Sequence, residues 1–346
     1  MPTLYLILFI VALSLGFDFS NGFHDAANSV ATVVTTRVLS PTLAVVWAAF
    51  FNFAAAFVFG TGVADTISKK LVDPHITTIY VIMAAVVAAI IWNIITWLLA
   101  LPTSSSHALI AGFAGAALAH AGWKAILVSG WIPVFTFLVL SPLIGMALGY
   151  VFMVLVTWAS RNVERHRGEK LFRALQLVSA GSYSLMHGAN DAQKTMGIIV
   201  ALLVAGGHKD WTAGSTFLGR HFEINIWIIL ACHAAIALGT MSGGWRIVKT
   251  VGSRITPHLR PVNGFCAELA AAVTIAIATF AHIPISTTHA IGGGIAGVGA
   301  VRGAHSVRWS WAQRIVGAWF LTFPGAGLIG AITYYLVHFL VEPHVH

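Results

Sequence analysis

The run ITTIYVIMAAVVAAIIWNIITWLLAL at 76–101 carries no charged side chain. It is longer than the roughly 20 residues an α-helix needs to cross a bilayer. A second such run, TLAVVWAAFFNFAAAFVFGTGVA, occupies 42–64. Lipid offers no hydrogen bonds to the backbone, so a chain built on such stretches must cross the membrane as helices. Composition agrees: 58% of the 346 residues are hydrophobic and 9% charged, against about 25% charged in soluble domains. The amino-terminal PTLYLILFIVALSLGF lacks a basic region and a small-residue cleavage site, and reads as a retained span. Cys232 and Cys266 lie in separate apolar segments without CxxC spacing, so no disulfide framework or cysteine-based metal site is expected. The net charge of +8 does not point to nucleic acid. Five of the 19 basic residues fall in RNVERHRGEKLFR (161–173) and four in WRIVKTVGSRITPHLR (245–260), as cytoplasmic loops do under the positive-inside rule.

The polar stretch 159–172 divides the chain into a first membrane repeat, 1–158, and a second, 173–346, with a cytoplasmic basic linker between them. Apolar segments run near 4–20, 22–36, 42–63, 77–101, 107–120 and 125–158, the last long enough for two. In the second half they run near 173–187, 189–206, 224–241, 262–281, 289–301 and 311–340. Several are short and interrupted, which suits half-helices or re-entrant hairpins. The halves repeat each other. GFHDAANS (22–29) aligns with GANDAQKT (188–195), pairing Asp25 with Asp191, His24 with Asn190 and Asn28 with Lys194. LPTSSSHALIAG (101–112) aligns with IPISTTHAIGGG (283–294), pairing Ser104–Ser106 with Ser286–Thr288 and His107 with His289. Interrupted segments at corresponding places in two halves point to a transporter's binding site.

In P-x-[ST]-[ST]-[ST]-H-A the proline is expected to start a helix, because it needs no amide donor there. The hydroxyls then sit at the cap and first turn, beside free N–H groups and the positive end of the helix dipole. That is a cradle for an anion, built from neutral donors that can release it. Asp25 and Asp191 are intramembrane carboxylates and therefore functional candidates. Beside an anion site they make sense if a cation travels with the anion. Lys194 shares a face with Asp191, where it either neutralises Asp191 and the incoming anion or replaces a second bound cation. Glu268, in an apolar run, is a candidate cation ligand or gate. Asp18 is read as capping a break in the first helix. The 16 histidines form no H-E-x-x-H and mostly sit at segment ends or in loops, including the tail HFLVEPHVH. His107 and His289 are expected to orient the hydroxyl clusters.

FDFSNGFHDAANSVAT, HGANDAQKTMG, the two proline–hydroxyl segments and PVNGFCAEL together resemble the inorganic phosphate transporter (PiT) family over nearly the whole chain. The resemblance implies an all-α integral membrane protein of two inverted-topology repeats, with Asp-bearing broken helices and two re-entrant hairpins. It implies a homodimeric secondary symporter in the cell membrane that needs no cofactor. The coupling ion would be sodium or a proton, and the cargo free phosphate or a metal–phosphate complex. Carried over, phosphate contacts fall on Asp25, Asn28, Ser104, Ser105, Asp191, Ser286 and Thr287, to which the sequence reading adds Lys194. Cation contacts fall on Asp25, Asn28, Asp191 and Glu268, joined by Asn190, and these would hold sodium if sodium is the coupled ion. His24 and Lys194 each stand where the family's motif carries asparagine, and Asn52 where some animal relatives carry glutamate.

Sulfate is the alternative cargo. An ionised carboxylate accepts a hydrogen bond from monohydrogen phosphate and none from sulfate, which favours phosphate. An intramembrane metal-dependent phosphohydrolase and a passive anion channel are the readings from other classes.

Overall fold

The computed structural model describes residues 2–217, 219–248 and 259–340. The middle of the second basic stretch, 249–258, and the tail 341–346 lie outside the described residues. Among the described residues, five helices are long and apolar enough to cross a membrane. They are α1 (Pro2–Thr35), α4 (Ile79–Leu98), α6 (Val128–Ala159), α9 (Pro261–Phe280) and α11 (Trp309–Leu340). A bent pair, α2 (Pro41–Ala54) with α3 (Gly62–Lys69), makes a sixth span if taken together. Among these run the 41-residue α7 (Arg165–Ala205), α8 (Ile226–Ser242) and the short α5 (Ser105–Ala121) and α10 (Thr287–Ala300). A two-stranded hairpin, Ser215–Phe217 with Arg220–Phe222, lies between α7 and α8.

Several sequence boundaries are corrected. The segments 4–20 and 22–36 are one helix, as are 173–187 and 189–206, so the backbone is continuous through both Asp25 and Asp191. Asp18 therefore caps no break. The reason lies in spacing: Ser14, Asp18, Asn21, Asp25, Asn28 and Thr32 recur every three or four residues on α1, and all are buried. They form one stripe that faces protein, leaving Tyr5, Leu8 and Phe9 exposed as a lipid face. The segment 125–158 also holds one helix and not two, Val128–Ala159, despite Pro133 and Pro142. The break falls instead inside 42–63, where a 3-10 turn at Ala55–Phe57 precedes an 81° bend into α3. Most of the linker 159–172 is the exposed start of α7, with only 160–164 outside a helix.

The repeats are visible in detail. Each hairpin, α4–α5 and α9–α10, turns through a left-handed residue, Ala100 (φ 54°) or His282 (φ 59°). Each second helix is capped by a serine: Ser104 Oγ accepts from His107 N at 3.2 Å, and Ser286 Oγ from His289 N at 3.3 Å. Pro102 and Pro284 lie in the extended connection two residues before these caps, not at the first helical position. The serine already satisfies one free amide of the first turn, that of His107 or His289, and the proline keeps the approach extended. The equivalent helices α1 and α7 run antiparallel. The Thr36 hydroxyl donates to Gln176 Oε1 at 2.9 Å, while Asp25, eleven residues earlier on α1, faces His187, eleven residues later on α7. Antiparallel equivalents are what inverted copies require.

The motif glycines let helices touch. A Cβ on Gly22 would sit 2.1 Å from the Ile236 carbonyl oxygen of α8, and one on Gly188 2.5 Å from that of Asn52 on α2. Gly188→Ala is expected to destabilise the fold by about 1–3 kcal/mol, the usual range for overpacking. Thermal unfolding of the purified protein checks this; an unchanged melting temperature would show that α7 and α2 separate at little cost. Two apolar clusters flank the polar stripe, one around Ile7, Phe17, Leu71 and Phe113, the other around Val30, Tyr183, Ile275 and Ile291.

Candidate functional site

α1 and α7 bring the two motif aspartates together, and the hairpin tips close over them. The tips meet each other: the Thr288 hydroxyl donates to the Thr103 carbonyl oxygen at 3.3 Å. Behind them the rings of His107 and His289 lie 5.0 Å apart, and His289 stacks on Trp319 at 3.6 Å. Both N-termini of α5 and α10 thus point into one buried space. The Ser106 and Thr287 hydroxyls each lie 3.5 Å from Asp191, on Oδ1 and Oδ2. The Ser105 hydroxyl is buried with no protein partner. The Tyr183 hydroxyl donates to the Thr287 carbonyl oxygen at 3.3 Å and steadies the second tip.

Lys194 is held on all three of its protons. Its Nζ donates to Asp191 Oδ1 and to the Ser106 hydroxyl, each at 2.5 Å, and to the Ile285 carbonyl oxygen at 2.6 Å. No proton is left over for an anion in this arrangement. Its repeat partner Asn28 donates from Nδ2 to the Thr288 hydroxyl at 2.8 Å. The two bonds are equivalent: residue 28 reaches the second tip, residue 194 the first. Three residues after Asp25 stands Asn28, where Asp191 has Lys194. Its Oδ1 accepts from His24 Nδ1 at 3.0 Å, and its Oδ2 lies 4.0 Å from His187 Nε2.

His187 joins the two carboxylates, since the same Nε2 lies 3.3 Å from Asp191 Oδ2. Its Nδ1 lies 3.1 Å from Asn52 Oδ1, and Asn52 Nδ2 in turn donates to Thr240. Asp25, His187 and Asp191 each offer a ligand atom, all within 4.8 Å of one another. That donor set can share a cation.

Two candidate cation ligands are placed differently from expectation. Asn190 clamps the second hairpin: Nδ2 donates to the Thr279 hydroxyl (2.9 Å) and the Ile283 carbonyl oxygen (3.4 Å), and Oδ1 accepts from Ile285 N (3.3 Å). Glu268 belongs to a separate cluster. It accepts from Thr32 (2.6 Å), Gln176 (3.0 Å) and Ser179 (2.5 Å). Thr32 is seven residues from Asp25, about 10 Å along the helix. The sequence reading missed His187, Ser106 and Thr288. The signal for His187 was present, because it stands one turn before Asp191 on the same face. Ser106 and Thr288 were inside the hydroxyl clusters, but which hydroxyls turn inward depends on helix phase.

A family model described as the phosphate transporter family matches residues 21–167 and 158–330. A probable low-affinity inorganic phosphate transporter of Rhizobium meliloti is 50% identical over 330 residues, covering 95% of this chain and 96% of that protein. One of the same description from Bacillus subtilis is 44% identical over 340 residues, covering 97% and 98%. A solved structure titled the sodium-dependent phosphate transporter superposes with a TM-score of 0.85 at 23% identity, over 97% of this chain and all of that one.

Proposed function

The chain belongs to the phosphate transporter family, and from that premise we propose that it imports inorganic phosphate by alternating access, coupled to sodium or protons. It is a multi-pass membrane transporter and not an enzyme, which sets aside the phosphohydrolase reading. The observation that carries the proposal is the convergence of two hydroxyl-bearing helix N-termini on the Asp25–His187–Asp191 cluster. Free amides and hydroxyls at helix starts bind a tetrahedral oxyanion. Carboxylates beside it accept from the P–OH of monohydrogen phosphate and hold the accompanying cation.

In this reading phosphate contacts Asp25, Asn28, Ser104, Ser105, Asp191, Ser286 and Thr287. Lys194 contributes charge through Asp191 and Ser106 rather than a direct bond. The coupling cation shares Asp25, Asn28 and Asp191, with Glu268 a second station and Asn190 a positioning residue for the hairpin. The division at 159–172 is kept, with the basic connection cytoplasmic and the protein a homodimer in the bilayer.

Uptake of labelled phosphate and sulfate into proteoliposomes under imposed sodium or proton gradients tests this. Phosphate accumulates against its gradient only when one cation gradient is present, and sulfate neither accumulates nor competes. Accumulation without either gradient, or preference for sulfate, would overturn it. Within that assay Ser105→Ala is expected to weaken phosphate binding by about ten- to a hundredfold, the loss of one hydrogen bond to a charged group. Stability is expected to hold, because this hydroxyl has no protein partner. Unchanged affinity would remove Ser105 from the site.

A further inference from the structure

Carboxylates occur at three levels along the seam between α1 and α7. Asp18 and Thr32 stand seven residues on either side of Asp25, about 10 Å away along the helix in each direction. Glu268, beside Thr32, receives three hydrogen bonds. Asp25 and Asp191 have His24, His187 and Lys194. Asp18 is fully buried, yet neither of its oxygens has a hydrogen-bond partner. Asn21 Oδ1, three residues along the same face, and Thr195 Oγ1 are likewise buried and unpartnered. The Thr195 hydroxyl of α7 and the Cys232 thiol of α8 flank the Asp18 carboxylate, and Asp191, His187 and Lys194 are the charged or titratable groups that α7 turns toward it.

We propose that Asp18, Asn21 and Thr195 form a further cation site, taking one sodium ion, separate from the Asp25–Asp191 cluster. It rests on the cation-coupled reading above and adds a site outside the residues named there. The chain supplies its own precedent for the coordination. The Lys194 ammonium is held by a carboxylate, a hydroxyl and a carbonyl oxygen. Asp18, Thr195 and Asn21 offer the same three kinds of oxygen without a tethered cation. Hard oxygen donors of this kind suit a hard metal ion. A metal ion is shared among the three oxygens at once, whereas a proton on Asp18 bridges only one pair of them. With a single carboxylate the site matches a charge of one and not two. Polar oxygens buried without a partner are costly, and a shared ion relieves all of them together. The site lies two turns before Asp25 on the same stripe, a staging position on the route to the phosphate site.

The test is binding of radioactive sodium to the purified full-length protein at fixed pH, beside phosphate counterflow in proteoliposomes. Asp18→Asn is expected to bind one sodium fewer per chain while phosphate exchange persists. Thr195→Val, which keeps shape and charge, is expected to bind the same number with one affinity weakened about tenfold. It decides the matter if Asp18→Asn does not fold. An unchanged sodium count in Asp18→Asn, unchanged affinities in Thr195→Val, or a wild-type protein that binds no sodium overturns the site. If phosphate uptake needs no cation gradient at all, the transport reading itself has failed. If uptake is gradient-driven and Asp18→Asn binds sodium as before, only the Asp18 site has.

Discussion

Asp191→Asn is expected to abolish high-occupancy phosphate binding and to lower the melting temperature, the largest combined effect of any single substitution at the site. Lys194 and Asp191 are both buried to 1% exposure or less. Removing the carboxylate charge leaves an ammonium deep in the protein with only the Ser106 hydroxyl and the Ile285 carbonyl for support. Breaking a buried pair from one side costs about 3–5 kcal/mol, chiefly because the remaining charge is uncompensated. The loss is transmitted to both hairpins, since Lys194 ties α7 to Ser106 of the first tip and Ile285 of the second. Removing both charges, in Asp191→Asn with Lys194→Asn, is therefore expected to recover much of the stability but not transport. Thermal unfolding and phosphate binding in both single mutants and the double complete the cycle. Additive effects would show that the pair is not coupled. Lys194→Asn alone restores the amide that its repeat partner Asn28 carries, and is expected to raise the number of coupled cations by one.

The second large effect is on coupling. Asp25→Asn is expected to eliminate gradient-driven accumulation while leaving exchange of bound phosphate. Asp25 sits between two imidazoles, His24 at 3.0 Å and His187 at 4.0 Å, with no lysine on its face. The proposed function assigns the coupling cation to this carboxylate, which has no tethered ammonium on its own helix face. The hairpin hydroxyls, helix N-termini and Asp191 are unchanged in this variant, and the substituted amide still offers an oxygen to the P–OH where Asp25 contacts phosphate, so exchange persists. Loss of one ligand to a charged partner corresponds to about a ten- to hundredfold change in cation affinity. Net uptake against cation concentration, beside counterflow without a gradient, separates the two functions. Full accumulation in Asp25→Asn would place coupling elsewhere.

The contrast between these two aspartates was already in the sequence. The alignment of GFHDAANS with GANDAQKT placed Asn28 opposite Lys194, and the hydroxyl clusters placed two helix starts in corresponding positions. Long uncharged runs fixed the membrane class, because lipid allows the backbone so few arrangements. Local chemistry also fixed the serine caps. What local pattern could not decide was whether a polar stretch breaks a helix or lines a buried face. The interruptions at Asp25 and Asp191 read as breaks, yet both helices continue, because their polar groups face one another across the seam, Thr36 with Gln176 and Asp25 with His187. Nor could spacing show that Asn190 would clamp a hairpin while His187 bridged the carboxylates. Those assignments depend on how α1, α7 and the two tips are rotated against one another. The separation of Glu268 and Asp18 from the central cluster has the same origin. Sequence determined which polar groups the membrane would have to accommodate; packing of the inverted halves decided which of them meet, because a buried polar atom takes its partner from the helix opposite.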